Sequence, residues 1–511
     1  MNVATLLVDR HVQEGRGDRV AIYYGDHEIT YAQVQEGANR AGNLLRQLHV
    51  RIENRVMLLL LDSPELVYSF LGAIKIGAVP IPTNTLMKPP EYEYMLNDSR
   101  AVVAIVSEQL LPQLQAIPRE RLPHLREIVV VGSVPAGLRS FDQLAAAASA
   151  ELEPVEMSRD DVAFWLYSSG STGFPKGCVH LQADLVYCCE LYARPILRIG
   201  PDDRCFSVAK LFFAYGLGNG LYFPFYVGAS TILWPGPPTA DNVYRVVERY
   251  RPTLFYSVPT NYGMLLAQEG EHDLGSIRHA VSAGEALPPA LFQRFKERFG
   301  VEILDGIGST EILHIFISNR PGEIRPGSSG KLVPGYDAKL LDDDGAVVER
   351  GEIGNLLIKG NSTCAYYWNK RDRTRQTILG EWIVTGDKYY QDEDGFFWYG
   401  GRSDDMLKVG GIWVSPVEIE NTLIDHPAVL EAGVVGREDQ DGLIKPLAYV
   451  VAAAGHEPSD TLAEELKGFV RARIAEYKRP RWIEFVPELP KTATGKTQRF
   501  KLRQLETGVG G

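Results

Sequence analysis

Short β-branched or aliphatic runs alternate with stretches of helical period along the first 400 residues, and this alternation limits the fold more than any other feature of the sequence. Val20–Gly25 (VAIYYG), Val56–Leu61 (VMLLLL), Val102–Val106 (VVAIV), Glu127–Gly132 (EIVVVG) and Ser230–Trp234 (STILW) read as buried strands. Tyr31–Leu48 and Pro64–Gly77 read as amphipathic helices between them. Strands separated by helices predict an α/β fold with mostly parallel sheets flanked by helices. No repeat at a fixed short period is present.

The pattern changes near Gly386. TGDKYYQDEDGFFWYGGRSDDMLKVGG is rich in Gly, Asp and aromatic residues, as hairpins and turns are. Beyond it, residues 414–511 read as a compact α+β unit: helix 416–425, strands 429–436 and 446–452, helix 460–476. The polar RSDDM at Arg402–Met406 is the expected joint, giving a large domain at 1–402 and a small one at 403–511. The large domain is expected to hold several subdomains, with a β-rich one near 320–400.

A length of 511 residues and 45% hydrophobic content suffice for more than one core. The net charge of −12 repels nucleic acid and anionic lipid, so neither is an expected partner. An anionic substrate must then be drawn in by a local cluster of donors and cations. The five cysteines (Cys178, Cys188, Cys189, Cys205, Cys364) include no CxxC pair and read as neither a disulfide framework nor a zinc site. So sparse a cysteine set makes a reducing cytoplasm the expected location, and no apolar run approaches the roughly 20 residues of a membrane span. The N-terminal residues, with an early Asp9, do not read as a signal peptide.

The strongest chemical signal is Tyr167–Gly177, YSSGSTGFPKG, directly after the apolar run Val162–Leu166. Its glycines let backbone N–H groups curl round an anion, its hydroxyls add donors, and Lys176 adds a positive charge. This is the make-up of a phosphate-cradling loop. It is not a Walker A loop, because the lysine follows Phe174–Pro175 rather than a glycine. Gly495–Lys496–Thr497 lacks the first glycine of that motif, and Gly216–Gly220 is not G-x-G-x-x-G. No G-x-S-x-G elbow or H-E-x-x-H pair occurs.

Six segments in order resemble the adenylate-forming superfamily of acyl-CoA synthetases, adenylation domains and luciferases. They are YSSGSTGFPKG, SAGEALP (Ser282–Pro288), DGIGSTE (Asp305–Glu311), TGD (Thr385–Asp387), GRSDDMLKVGG (Gly401–Gly411) and PKTATGK (Pro490–Lys496). KLFFAYGLGNGLYFPF (Lys210–Phe225) and IGSTEILHIFISN (Ile307–Asn319) are similar to the benzoate-CoA ligases and their hydroxy- and aminobenzoate relatives.

The resemblance implies a two-step reaction: a carboxylate attacks the α-phosphate of Mg-ATP to give an acyl-adenylate, and coenzyme A then displaces AMP. It implies catalytic roles for Lys496, Glu311, Thr172 and Lys176, with Glu311 and Thr172 holding Mg²⁺. It implies that Ser168, Ser169, Gly170, Ser171, Thr172 and Gly173 surround the phosphates. Gly284, Glu285, Asp305, Gly306, Ile307 and Thr310 are expected around the adenine and its surroundings, with Asp387 and Arg402 at the ribose. A carboxylate suits a vicinal diol because it only accepts and has two oxygens. Asp404 matches the hinge about which a mobile small domain turns, bringing Val409, Gly410 and Gly411 to the thiol channel.

Phe213, Ala214, Tyr215 and Gly216 on one side, and Ile307, Gly308, Ile312 and His314 on the other, fall where the acid pocket is expected. Small residues leave room for a flat ring and aromatic ones pack on it. No basic residue there calls for a second carboxylate, so a small aromatic monoacid fits. A lone histidine in an apolar run such as ILHIF is more often a core residue than a ligand contact. His180 and the cysteines near the phosphate loop read as packed.

The reading is an aryl-CoA ligase, with a stand-alone enzyme loading a separate carrier protein as the alternative. The chain is expected to carry no fused carrier, to act as monomer or homodimer, and to feed an acyltransferase or carrier downstream. A nucleotide-binding protein without catalysis is disfavoured by the presence of Lys496, Thr172 and Glu311 together. The ring substituent stays open among hydrogen, amino and hydroxyl, since such changes shift preference by only about 1–3 kcal/mol in a pocket.

Overall fold

The computed structural model describes residues 1–170, 173–403, 405–409, 412–439, 443–491 and 497–506. Among these, two sheets carry the N-terminal domain. The first orders its strands Val79–Pro82, Arg55–Leu59, Val103–Ser107, Glu127–Val131 and Arg139–Ser140, all parallel. The second has nine strands. Its middle runs parallel through Ile303–Gly308, His279–Ser282, Leu254–Ser257, Arg204–Ser207, Ser230–Ile232 and Val20–Tyr24. His27–Thr30 closes one end antiparallel; Ile315–Ser318 and Lys331–Leu332 close the other. All five strands expected from the aliphatic runs are present, with ends shifted by a residue or two.

The expected helices also form, as Tyr31–Gln47 and Pro64–Lys75. Thr30 opens the first with a capping box: its side chain accepts from Gln33 N–H while the Gln33 side chain accepts from the Thr30 N–H. The two helices meet at Gly42 and Gly72. A β-carbon on Gly72 would lie 2.5 Å from the Ala38 carbonyl oxygen and 2.6 Å from the Gly42 nitrogen. Their crossing therefore requires glycine. Beside it, the buried Lys75 ammonium donates to Asp9 Oδ1 at 2.6 Å and Asn39 Oδ1 at 2.7 Å, tying the N-terminal segment to both helices.

One departure from the sequence expectation matters for the site. The phosphate-loop motif is a β-hairpin rather than a long loop: strand Val162–Gly170 runs on through the first serines, and Gly173–Leu181 returns antiparallel. Pro175 and Lys176 thus lie in a strand, with Tyr366–Tyr367 paired on its other edge. Residues 337–402 form an antiparallel sheet of Asp337–Leu341, Gly354–Lys359, Trp382–Gln391, Ile378–Leu379 and Phe397–Arg402, the expected β-rich part.

The separate C-terminal domain has helix Pro416–Ile424, strands Val429–Glu438, Ile444–Ala452 and Trp482–Phe485, and helix Asp460–Arg471. That last helix stops before the expected Glu476. Its own core includes Val434, Val450, Leu466 and Val470. No helix among the described residues is long and apolar enough to cross a membrane.

The glycine crossing gives a matched test. Gly72→Ala should lower stability in urea denaturation by about 1–3 kcal/mol through overpacking. Gly263→Ala, in helix Pro259–Ala267 with nothing within 4 Å of the new methyl, should be neutral or stabilise by up to about 1 kcal/mol. Equal effects at the two positions would contradict the close crossing.

Candidate active site

The candidate residues gather where the parallel strands of the nine-stranded sheet end, the place where open α/β sheets expose loops to ligands. Gly284 and Glu285 follow strand His279–Ser282, and Gly284 has φ +94°, a conformation glycine tolerates. Asp305, Gly306 and Ile307 lie on strand Ile303–Gly308. A turn over Thr310–Ile312, capped by the Ser309 side chain, comes next.

Glu311 projects from that turn. Its Oε1 accepts the Tyr367 hydroxyl at 2.7 Å and the Ser168 hydroxyl at 3.2 Å. No described residue donates to Oε2. Cys178 lies below, its thiol 3.6 Å from Ser168 Oγ and 3.9 Å from Glu311 Oε1. It is buried, as are the other four cysteines, all as free thiols. The Lys176 ammonium stands 4.7 Å from the Tyr367 ring centroid. Burial pulls its pKa down, nearby Glu311 pulls it up, and Arg373 and Arg402 add to the lowering. The sequence thus places Ser168, Lys176 and Glu311 together, as expected. It gave no sign of Tyr367, whose hydroxyl completes the carboxylate's setting.

Across the hairpin tip, Gly170 pairs with Gly173, and Ser169 lies in the outgoing strand. Ser171 and Thr172 lie outside the described residues, as do Asp404, Gly410, Gly411 and Lys496. Helix Arg499–Glu506 follows the lysine motif. Val409 is buried in the C-terminal core on the strand Leu407–Val409.

Asp387 faces Arg402 across two antiparallel strands. Arg402 Nη1 donates to Asp387 Oδ1 at 3.2 Å and to the Thr385 carbonyl at 3.1 Å. Chain anchors flank position 404. The Ser403 N–H donates to the Gly386 carbonyl at 2.9 Å. On the other side Arg503 donates to Asp405 at 2.8 Å and Arg499 at 3.5 Å, so Asp405 is fastened to the last helix.

The second cluster is apolar. The Tyr215 hydroxyl lies 3.0 Å from the Val281 carbonyl and 3.2 Å from that of Ser257, so its ring spans the ends of two strands. Ala214 and Gly216 flank it on a short helix that Phe213 caps. A β-carbon on Gly216 would come within 2.0 Å of the Lys210 carbonyl. Gly308 is packed the same way, 2.6 Å from the His314 carbonyl. Ile312 is fully buried. His314 Nε2 lies 3.2 Å from Asn219 Oδ1 and 3.3 Å from the Tyr215 carbonyl, with the Phe223 ring 4.4 Å away. Since a carbonyl cannot donate, Nε2 carries the proton. Nδ1 has no partner among the described residues. Burial drives the His314 pKa down to about 3, so the ring is neutral.

Asp305 is buried. Its Oδ2 faces the Leu287 N–H at 3.5 Å and its Oδ1 has no partner among the described residues. Burial raises its pKa to about 8.

The chain matches two family models: "AMP-binding enzyme" over residues 8–368 and "AMP-binding enzyme C-terminal domain" over residues 418–496. It belongs to the AMP-binding enzyme family. A benzoate–CoA ligase of Thauera aromatica is 50% identical to it over 98% of this chain and 95% of that protein. A 4-hydroxybenzoate–CoA/benzoate–CoA ligase of Rhodopseudomonas palustris is 44% identical over 99% of this chain and 94% of its own length. Among solved structures, the anthranilate CoA ligase AuaEII in complex with anthranoyl-AMP superposes with a TM-score of 0.96 at 49% identity, covering 100% of this chain and 98% of that one. A benzoate CoA ligase from Burkholderia xenovorans LB400 gives 0.91 at 47% identity, over 98% and 100%. This AMP-binding enzyme therefore shares both domains and the whole fold with aromatic acid–CoA ligases.

Asp305 supplies a test on the ligand-free enzyme. The folded carboxyl keeps its proton to about pH 8, the unfolded one only to about 3.8. Between these values unfolding releases a proton, so stability falls as pH rises. Asp305→Asn removes that slope. Its melting temperature should gain on wild type between pH 6 and pH 8; a difference constant across that range would contradict the buried, proton-holding carboxyl.

Proposed function

We propose that this enzyme is an ATP-dependent aromatic acid–CoA ligase acting on benzoate or a 2-amino- or hydroxybenzoate. The observation that carries the reading is one turn of chain. Glu311 on it faces the phosphate-loop hairpin, and His314, three residues on, lies against Tyr215, Asn219 and Phe223. This arrangement supports a nucleotide phosphate on one side of the turn and a flat, uncharged ring on the other. The pocket segments offer a neutral histidine and no cation, which suits a ring whose only charge is the reacting carboxylate. The similarity to benzoate– and anthranilate–CoA ligases supports the same substrate class.

In the first step the acid's carboxylate oxygen attacks the α-phosphorus of ATP, pyrophosphate leaves, and an aryl-adenylate remains. The step joins anions, so its need is positive charge and fixed donors. Lys496 is assigned the charge at the carboxylate and α-phosphate, and Lys176 with residues 168–173 the remaining phosphates. Asp387, oriented by Arg402, takes the ribose hydroxyls. Gly284, Glu285, Asp305, Gly306, Ile307 and Thr310 line the adenine side, where a protonated Asp305 can donate. Glu311 and Thr172 are assigned Mg²⁺. A single carboxylate with an oxygen left open, plus a hydroxyl, fits a cation that keeps several waters. That ion neutralises phosphate charge when bound.

In the second step the coenzyme A thiol attacks the acyl carbon and AMP leaves. The small domain, residues 403–511, is assigned a rotation about Asp404 between the steps. It would withdraw Lys496 and bring Val409–Gly411 to the thiol. The bonds of Ser403 to Gly386 and of Asp405 to the last helix lie on either side of this assigned hinge.

The direct test is mass spectrometry of thioesters formed from Mg-ATP, coenzyme A and a panel of benzoate, aminobenzoates, hydroxybenzoates, cyclohexanecarboxylate and medium-chain fatty acids. One dominant aryl-CoA with AMP as co-product is expected. Aryl-adenylate without thioester would favour transfer to a carrier protein instead. Lys496→Ala should lose adenylation by about 10²–10³ while still converting supplied aryl-adenylate to thioester. Loss of both halves in a folded protein would contradict the assigned role.

A further inference from the structure

The turn that carries Glu311 is held at three successive carbonyls, each from a different donor. His180 Nε2 reaches the Thr310 carbonyl at 2.8 Å, the Cys364 N–H reaches that of Glu311 at 2.7 Å, and the Ser362 hydroxyl reaches that of Ile312 at 2.8 Å. Leu313 then turns the chain with φ +72° and ψ −41°, a left-handed conformation that leucine rarely adopts. A turn that ends in such a conformation is held by its surroundings.

His180 is the member of this set that belongs to the phosphate-loop hairpin. Both its nitrogens are committed. Nε2 must donate, because a carbonyl only accepts. Nδ1 lies 2.9 Å from Asp184 Oδ2, which also accepts the Leu181 N–H at 3.0 Å. The ring is wholly buried and stacks on Phe164 at 5.4 Å. Asp184 thus fixes the plane of His180, and His180 fixes the Glu311 turn against the strand bearing Ser168's partner, Lys176.

We infer that His180, oriented by Asp184, is a positioning residue. It sets the height of Glu311 over the phosphate loop and so tunes divalent-cation affinity without touching the ion. The inference rests on the assignment of Glu311 to the metal.

The test compares His180→Asn with His180→Gln. Asparagine keeps a donor toward Asp184 but cannot reach Thr310; glutamine keeps the donor toward Thr310. Mn²⁺ binding is read by electron paramagnetic resonance in the presence of a non-hydrolysable ATP analogue, with melting temperatures alongside. His180→Asn should weaken Mn²⁺ binding by about tenfold, His180→Gln by no more than about threefold, with metal-free nucleotide binding unchanged in both. A merely structural role would lower both melting temperatures and leave Mn²⁺ affinity at the wild-type value, which overturns the inference. Glu311→Gln separates the two levels. If it binds Mn²⁺ like wild type, the metal assignment itself fails. If it loses Mn²⁺ while His180→Asn does not, only the role of His180 fails.

Discussion

Three hydrogen bonds to the carbonyls of Thr310, Glu311 and Ile312 hold the chain in a reversal at Leu313 that its side chain does not favour. The rest of the site is arranged round this reversal. On one side the carboxylate of Glu311 meets Ser168 and Tyr367; on the other His314 meets Tyr215 and Asn219. The donors come from the hairpin 162–181 and from residues 362–364, so the nine-stranded sheet and the hairpin are locked in mutual register at the point where nucleotide and acid would meet. Each such bond is worth only about 0.5–1.5 kcal/mol net, but a buried carbonyl left without a donor costs about 1–3 kcal/mol. The set is therefore more demanding to break than to form.

Electrostatics follow the same division. The body of the protein carries a net charge of −12, yet the hairpin gathers Lys176 near Arg402 and Arg373. An anionic nucleotide thus meets a local field opposite in sign to the global one. The acid pocket and the adenine side are instead kept neutral: burial leaves His314 of the first uncharged and Asp305 of the second protonated at pH 7. Charge at the junction is then confined to the groups assigned to the reaction, and a low-dielectric wall strengthens their interactions.

Much of this was legible in the sequence. Aliphatic runs of five or six residues marked the parallel strands, because a strand buried on both faces must be apolar throughout. The Gly/Ser/Lys composition of residues 167–177 marked the phosphate loop, and the Gly/Asp/aromatic stretch after Gly386 marked the hairpin that presents Asp387 and Arg402. The hairpin geometry of the phosphate loop was not legible, since Pro175 and the glycines read as loop formers until a neighbouring strand, Tyr366–Tyr367, supplies their partner. Tyr367, Ser362 and Cys364 lie about 50 residues from Glu311 in sequence and reach it only through tertiary pairing. His180 gave no signal beyond a buried position. Its role depends on two partners that no local pattern connects.

The central claim is that nucleotide and ring lie on opposite sides of the Thr310–His314 turn. Its most direct test is a crystal structure with a non-hydrolysable aroyl-sulfamoyl adenosine and Mn²⁺. The ring should lie alongside the contacting Tyr215 and His314 side chains, the sulfamoyl group beside Gly308–Thr310, and the anomalous Mn²⁺ peak at Glu311. A ring bound away from His314, or a metal peak away from Glu311, would contradict the account.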